Sequence, residues 1–189
     1  MGKLPTGPLE VRLAATLFLL LLGVANLFGA WEVRNFASFT PRGVARTVAV
    51  EEHPAMAMPD HESTTIEEKP IDLAGLDRPH HTIGRDLLVQ DTHVHVPVYA
   101  LTAAALCLIA FGLALSSAVR VALVALAFVA PLLDFAGLWG AHLVPRLGLF
   151  FGGVTVAGGL AMGLAYLIVL WLTLFQCWIS RSKKELDHA

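Results

Sequence analysis

Four long apolar runs constrain this chain more than any other feature of its sequence. The hydrocarbon core of a bilayer is about 30 Å thick, and a helix needs about 20 apolar residues to cross it. The runs are Leu13–Trp31, Pro97–Leu115, Val121–Ala141 and Leu147–Trp171, and the last one extends toward Trp178. They predict four transmembrane helices.

The overall composition indicates the same class of protein. Of the 189 residues, 56% are hydrophobic and 15% are charged. A soluble domain of this length cannot bury so much apolar surface, so we expect an integral membrane protein. The formal net charge is -2, and the chain contains no nucleic-acid-binding motif, so we expect no nucleic-acid partner.

The two cysteines also exclude several kinds of site. Cys107 and Cys177 both lie in apolar runs, and neither belongs to a CxxC or CxxCH motif. Covalent attachment of a c-type haem and cysteine-based zinc or iron–sulfur sites are therefore excluded.

The first apolar run has a second interpretation, as a signal peptide with Lys3 and Arg12 in its basic region and "GVA" as a cleavage site. Its uninterrupted length up to Trp31 favours a helix that is retained.

Basic residues in the short segments predict the orientation of the helices. Arg146 lies in a short turn on one side of the predicted bundle, and the other six fall on the opposite side: Lys3, Arg12, Arg120, Arg181, Lys183 and Lys184. By the positive-inside rule this side is cytoplasmic, so both termini face the cytoplasm and the long loop faces the periplasm. We expect the protein to lie in a bacterial inner membrane.

Short connections between the last three runs predict antiparallel neighbours, and hence an all-α, four-helix transmembrane bundle with a loop of about 60 residues outside it. The predicted parts are a cytoplasmic N-terminus with the first helix (1–31), the periplasmic loop (32–96), the other three helices (97–178) and a cytoplasmic tail (179–189).

The long loop is rich in Pro, Glu, Asp, His and Thr, and it predicts little regular structure. The alternation in "GVARTVAVEE", residues 43–52, is compatible with one short strand. The stretch "HPAMAMPDH" supplies His53, Met56, Met58 and His61. Thioether and imidazole groups suit copper, so this stretch is a candidate copper-binding segment.

Ionisable side chains gather near the predicted outer face. Asp134 is the only acid within a predicted span, and His142 follows eight residues later, while His93 and His95 precede the second span. A carboxyl group inside the membrane is costly, so Asp134 has either a function or a structural hydrogen bond. Pro97 disfavours helix for the residue before it, which predicts an extended His93–His95 with both imidazoles on one face.

Three kinds of ligand fit such a group of side chains. A haem b takes two axial imidazoles, here His93 or His95 together with His142. Copper or another transition metal takes His93, His95 and Asp134. A quinone takes a histidine and an acid as hydrogen-bonding and proton-transfer partners. The alternative is that these histidines are only polar residues at a membrane surface.

The fourth run contains "GLFFGGVTVAGGLAMG", in which Gly148 and Gly152, and again Gly159 and Gly163, stand four residues apart. This spacing of small residues predicts a close approach of helices, either within the bundle or against another subunit.

The segments "LLGVANLFGAW", "THVHVPVYAL", "PLLDFAGLWGAHL" and "GGLAMGLAYLIVLWLTLF" resemble a family of small bacterial four-helix inner-membrane proteins. Longer members of that family carry a c-type haem motif in the outer loop. The resemblance implies His93, His95 and Asp134 as site residues in a redox setting that faces the periplasm. This chain lacks CxxCH, so the resemblance does not imply a bound c-type haem.

These observations together predict a membrane subunit of a respiratory or related electron-transfer complex. It would hold a metal, haem b or quinone near its outer face, and it would be a non-catalytic subunit of a redox enzyme rather than an enzyme itself. Its expected partners are the lipid bilayer and other membrane-protein subunits. A non-catalytic accessory or assembly subunit and a copper-handling membrane protein are the alternatives.

Overall fold

The computed structural model describes residues 4–48 and 83–180, and every regular element in these two segments is helical. The five α-helices are α1 (Leu9–Ala37), α2 (Pro41–Thr47), α3 (Arg85–Gly112), α4 (Ser117–Leu143) and α5 (Gly148–Leu174). A 3₁₀ turn, Pro145–Leu147, leads into α5, and a π-helical turn, Phe175–Ile179, continues it.

Four of the helical segments are long and apolar enough to cross a membrane: Leu9–Asn35, Arg85–Gly112, Ser117–Leu143 and Pro145–Ile179. Each of the four predicted runs coincides with one of them. The prediction of an all-α protein with four transmembrane helices is therefore confirmed. We call the end of the bundle that carries His142 the outer end, and the end that carries Arg12 the inner end.

The helices are longer than the apolar runs on which they were predicted. Residues 32–37 belong to α1 and residues 85–96 belong to α3, although both ranges were expected in the loop. The 28 residues of α3 span about 42 Å at 1.5 Å each, so its first turns extend beyond a hydrocarbon core of about 30 Å. The candidate copper segment, residues 53–61, lies outside the described residues, and copper binding there stays a prediction.

The predicted strand at residues 43–52 is wrong where the structure describes it, because residues 41–47 form α2. Local capping explains the helix. The Thr40 side chain accepts a hydrogen bond from the backbone N–H of Gly43 at 2.9 Å. Pro41 occupies the first turn, where a backbone N–H has no partner within the helix, so the N–H that proline lacks is not missed. The carbonyl of Pro41 lies against Gly152, which has no side chain to keep α2 away from α5.

The closest helix pair is α4 and α5, and glycines permit the close approach. A Cβ atom added to Gly158 would lie 2.7 Å from the backbone N of Asp134, and one added to Gly137 would lie 2.7 Å from the carbonyl O of Phe151. Both distances are too short for a real side chain. The two backbones are therefore in direct contact along this pair of helices, as small residues allow in membrane proteins.

The close approach predicted from the first glycine pair occurs against α2, whereas the second pair has no neighbouring helix among the described residues. Gly148 and Gly152 lie against α2, where the Ala45 side chain and the Pro41 carbonyl are their neighbours. Gly159 and Gly163 face open space, since nothing lies within 4 Å of a Cβ added at either position.

An apolar core joins the remaining helices to the α4–α5 pair. Its buried members come from four helices: Leu19, Leu106, Ala110, Leu123, Tyr166 and Val169. The Tyr166 hydroxyl donates a hydrogen bond to the carbonyl of Leu19 at 3.0 Å and so ties α5 to α1. On the other face of α1, Leu21, Leu27 and Phe28 are each 72% exposed, as expected for side chains that contact lipid.

Candidate functional site

The expected extended conformation of His93 and His95 is wrong, because α3 runs through both residues and continues past Pro97. A proline inside a helix removes one hydrogen bond and crowds the carbonyl four residues earlier, at a cost of about 3 kcal/mol. Breaking the helix in a membrane would leave several backbone groups without partners, so the helix persists. Residues two positions apart on a helix diverge by about 200°. His93 is accordingly exposed, whereas His95 turns toward the bundle.

The imidazole of His95 is held by the residue one turn earlier. Its Nδ1 lies 2.9 Å from the carbonyl O of Asp91 and 2.8 Å from the carboxylate Oδ1 of the same residue. Both oxygens are acceptors, so Nδ1 carries the hydrogen and donates it. In the neutral ring the Nε2 atom is then left as an acceptor. The side chain is 45% exposed, so Nε2 is accessible to a ligand or partner.

Aromatic contacts connect His95 to α4. The ring centroids of His95 and Tyr99 are 5.8 Å apart, and those of Tyr99 and Phe135 are 5.5 Å apart. The carboxylate of Asp134, next to Phe135, interacts electrostatically with Asp91 and His95. We call Asp91, His95, Tyr99 and Asp134 the outer cluster.

Asp134 is fixed through its backbone rather than through its carboxylate. Its carbonyl accepts a hydrogen bond from the Thr155 hydroxyl at 3.2 Å, and its backbone N lies over Gly158. Among residues 4–48 and 83–180, no hydrogen bond reaches the carboxylate itself. It lies roughly 13 Å below the end of α4 at Leu143, counting 1.5 Å per residue. A half-buried carboxyl group without a structural bond favours a functional role for Asp134.

His142 occupies a different place, between α4 and the end of α2. It is only 7% exposed, and its Nδ1 lies 3.1 Å from the carbonyl O of Val48. Its ring meets the edge of Trp139 at a centroid distance of 6.3 Å. The Trp139 indole in turn donates to the Thr92 hydroxyl at 2.9 Å. Within the described residues, these contacts hold His142 between α4 and α2 and connect it to α3 through Trp139 and Thr92.

The predicted metal set of His93, His95 and Asp134 is therefore not brought together. His95 and Asp134 belong to one cluster, but His93 faces away from it. Within the part of the chain that the structure describes, no group of three or more His, Cys, Asp or Glu side chains is arranged to hold a metal ion. The outer cluster has one accessible imidazole nitrogen and two carboxylates, which suit hydrogen bonding and proton transfer to an organic ligand.

Two members of the outer cluster, Asp91 and Tyr99, were missed from sequence. Asp91, His95 and Tyr99 follow one another at four-residue spacing, which places all three on one helical face. That signal was readable, but the expected break at Pro97 concealed it. Asp134 lies on α4, so only the packing of α3 on α4 places it near these three residues.

Comparison with known proteins gives one match. A family described as a transmembrane helical domain matches residues 82–184, which is more than half of the chain. No curated protein and no solved structure matches. The matched range contains α3, α4 and α5, and thus the whole of the outer cluster.

Proposed function

The chain belongs to the Aq_1264_TM family of transmembrane helical domains, and from this premise we propose that it is a membrane subunit of an electron-transfer complex that binds a quinone at the outer cluster. The family and the four helices make it a multi-pass integral membrane protein in contact with lipid. The observation that carries the proposal is the accessible His95, held by Asp91 through Nδ1 and lying in the field of Asp134.

The chemistry of a quinone matches these groups. The reduced form, a quinol, has two hydroxyls, and Nε2 of neutral His95 is suited to accept the proton of one of them. The carboxylate of Asp91 stabilises the imidazolium that forms. Asp134 supplies a second acceptor deeper in the membrane. Oxidation of the quinol releases two protons and two electrons, and the electrons pass to a redox centre in a partner subunit.

Other ligands receive less support from the geometry. Copper or another metal requires several ligands that converge on one point, and the described residues of the outer cluster are not arranged in that way. One haem b with His95 and His142 as axial ligands stays a prediction. In both rings Nδ1 is already engaged with an oxygen, which leaves Nε2 as the available nitrogen.

Binding of decylubiquinone to the purified protein in nanodiscs tests this proposal, with quenching of the intrinsic tryptophan fluorescence as the readout. We expect His95→Ala to weaken binding about fivefold, since one hydrogen bond to the ligand is worth about 1 kcal/mol. His93→Ala is the matched control, because the same residue type stands two positions away on the exposed face, and it should bind as the wild type does.

Equal losses in the two variants, or no binding by the wild type, would contradict the quinone proposal. A haem absorption band in the wild type that disappears in His95→Ala would assign the cluster to haem b instead.

The proposed orientation is that of a bacterial inner-membrane protein with both termini in the cytoplasm and the outer cluster at the periplasmic face. Ser116 and Arg146 are exposed at opposite ends of the bundle, whereas both native cysteines are buried. A membrane-impermeant maleimide added to intact spheroplasts should label Arg146→Cys and leave Ser116→Cys unlabelled. The reverse pattern would invert the proposed orientation.

A second proposal, an accessory subunit without a ligand, is favoured by the open glycine face of α5. Gly159 and Gly163 lie without neighbours where another helix can approach closely. If a partner subunit packs there, Gly159→Leu should release it from the protein purified from native membranes. Gly29→Leu, at an equally open position on α1, is the control. A protein that purifies alone, in either form, would count against this role.

A further inference from the structure

Arg12 is a buried cation at the inner end of the molecule, opposite the outer cluster. It stands in the first turn of α1 and is only 7% exposed. Its Nη1 donates to the carbonyl of Cys177 at 3.1 Å, and its guanidinium carbon lies 5.1 Å from the centre of the Trp178 ring. Its Nε is buried and has no hydrogen-bond partner among the described residues.

The positive charge of Arg12 is only partly compensated by these contacts. The Cys177 carbonyl lies in the last turn of the α5 extension, where the helix dipole supplies about half a negative charge. The Trp178 ring adds a weaker attraction. No Asp or Glu in residues 4–48 and 83–180 forms an ion pair with Arg12. A buried guanidinium with an unused donor and no anion is costly, so a further anion is expected.

The surroundings of Arg12 are fixed before any ligand arrives. The Thr16 hydroxyl donates to the Arg12 carbonyl at 2.8 Å and accepts from the Trp178 indole at 3.1 Å. Trp178 is thereby held over the guanidinium, within the π-helical turn of residues 175–179. We call Arg12, Thr16 and Trp178 the inner arginine site.

A second arginine stands at the same end of the bundle. Arg120 donates from Nη2 to the carbonyl of Leu113 at 3.3 Å, and its Nε is also buried without a described partner. Leu113 and Cys177 belong to one buried cluster, so each arginine is bonded to a carbonyl of that cluster. The inner end therefore combines two cations with unused donors.

We propose that the guanidinium of Arg12 binds a phosphate group, supplied by the headgroup of a phospholipid at the inner membrane boundary. A phosphate oxygen would accept from Nε, and the guanidinium fork is suited to a second phosphate oxygen. The position supports a lipid as the source, because Arg12 opens a transmembrane helix whose next turns expose Leu13 and Leu17 to the acyl chains. This site is independent of the quinone proposed at the outer cluster.

Thermal unfolding of the purified full-length protein in mild detergent tests the proposal with three additives. These are dioctanoyl-phosphatidylglycerol, dioctanoylglycerol, which has the same chains without a phosphate, and inorganic phosphate. We expect the phosphatidylglycerol to raise the unfolding midpoint by several degrees and dioctanoylglycerol to leave it unchanged. Arg12→Gln should abolish the shift, while Arg146→Gln, which alters an exposed arginine at the outer end, should retain it.

An equal shift with inorganic phosphate would support the phosphate site and identify free phosphate as a source. If Arg12→Gln does not fold, two other measurements test the phosphate site. One is the comparison of phosphatidylglycerol with dioctanoylglycerol in the wild type, and the other is the shift in Arg12→Lys. Lysine keeps the charge but lacks the fork, so its shift should be smaller.

Three results would overturn the proposal. The first is an equal shift with both lipids in the wild type, and the second is an unchanged shift in Arg12→Gln. The third is a phosphate-dependent shift that appears only in the double variant Glu185→Gln/Asp187→Asn. That result would make the acids of the C-terminal tail the counterions of Arg12.

Discussion

Replacing Gly158 with alanine should force α4 and α5 apart. The added Cβ would lie 2.7 Å from the backbone N of Asp134 and 2.8 Å from the carbonyl O of Ala130, whereas ordinary contact begins at 3.4 Å. The gap must therefore open by about 0.6 to 0.7 Å to restore ordinary contact. No side-chain rotation relieves the clash, because both atoms belong to the backbone of α4.

The expected cost follows from two opposing effects. Overpacking of this kind costs about 1–3 kcal/mol. Alanine forms helix better than glycine by about 1 kcal/mol, which offsets part of that cost. We expect a net loss of up to about 2 kcal/mol in the free energy of unfolding. Gly159→Ala is the matched control, because nothing lies within 4 Å of its added Cβ and only the gain in helix propensity remains.

The measurement is the unfolding of both purified variants by SDS in mixed micelles, followed by circular dichroism. Gly158→Ala should unfold at lower SDS than the wild type, and Gly159→Ala at the same or higher SDS. The displaced atom belongs to Asp134, so Gly158→Ala should also weaken decylubiquinone binding. Equal midpoints for the two variants would refute the direct backbone contact between α4 and α5.

Two further predictions concern hydrogen bonds between helices. Tyr166→Phe removes the bond to the Leu19 carbonyl at 3.0 Å and should lower the free energy of unfolding by about 0.5–1.5 kcal/mol in the same assay; a wild-type midpoint would contradict the tie between α5 and α1. Trp139→Phe and Thr92→Val each remove the one bond between these two side chains at 2.9 Å, so the double variant should lose about 0.5–1 kcal/mol less than the sum of the single losses. Additive losses would mean that this contact contributes nothing to the packing of α3 on α4.

The site was only partly predictable from sequence. His95 and Asp134 were both singled out from sequence, because ionisable residues are rare in membrane spans, and the structure places both in the outer cluster. The predicted extended segment, with His93 and His95 on one face, is wrong because α3 continues through both residues. The residue before Pro97 prefers an extended conformation, but the need to pair backbone groups in the membrane outweighs that preference. Arg12 was interpreted from sequence as a marker of orientation or as part of a signal peptide, and nothing local to it indicates that it is buried.

The sequence by itself determined the number and the places of the membrane-spanning helices. Bilayer thickness sets the length of an apolar run, and a run can be read without knowing what it packs against. The tertiary structure decided which face of each helix is buried. A transmembrane helix is apolar on all sides, because lipid is as apolar as the protein core, so no periodic pattern marks the buried face. The contacts of Gly158 with α4, of His142 with Val48 and of Arg12 with Cys177 join residues distant in sequence, and only packing brings them together.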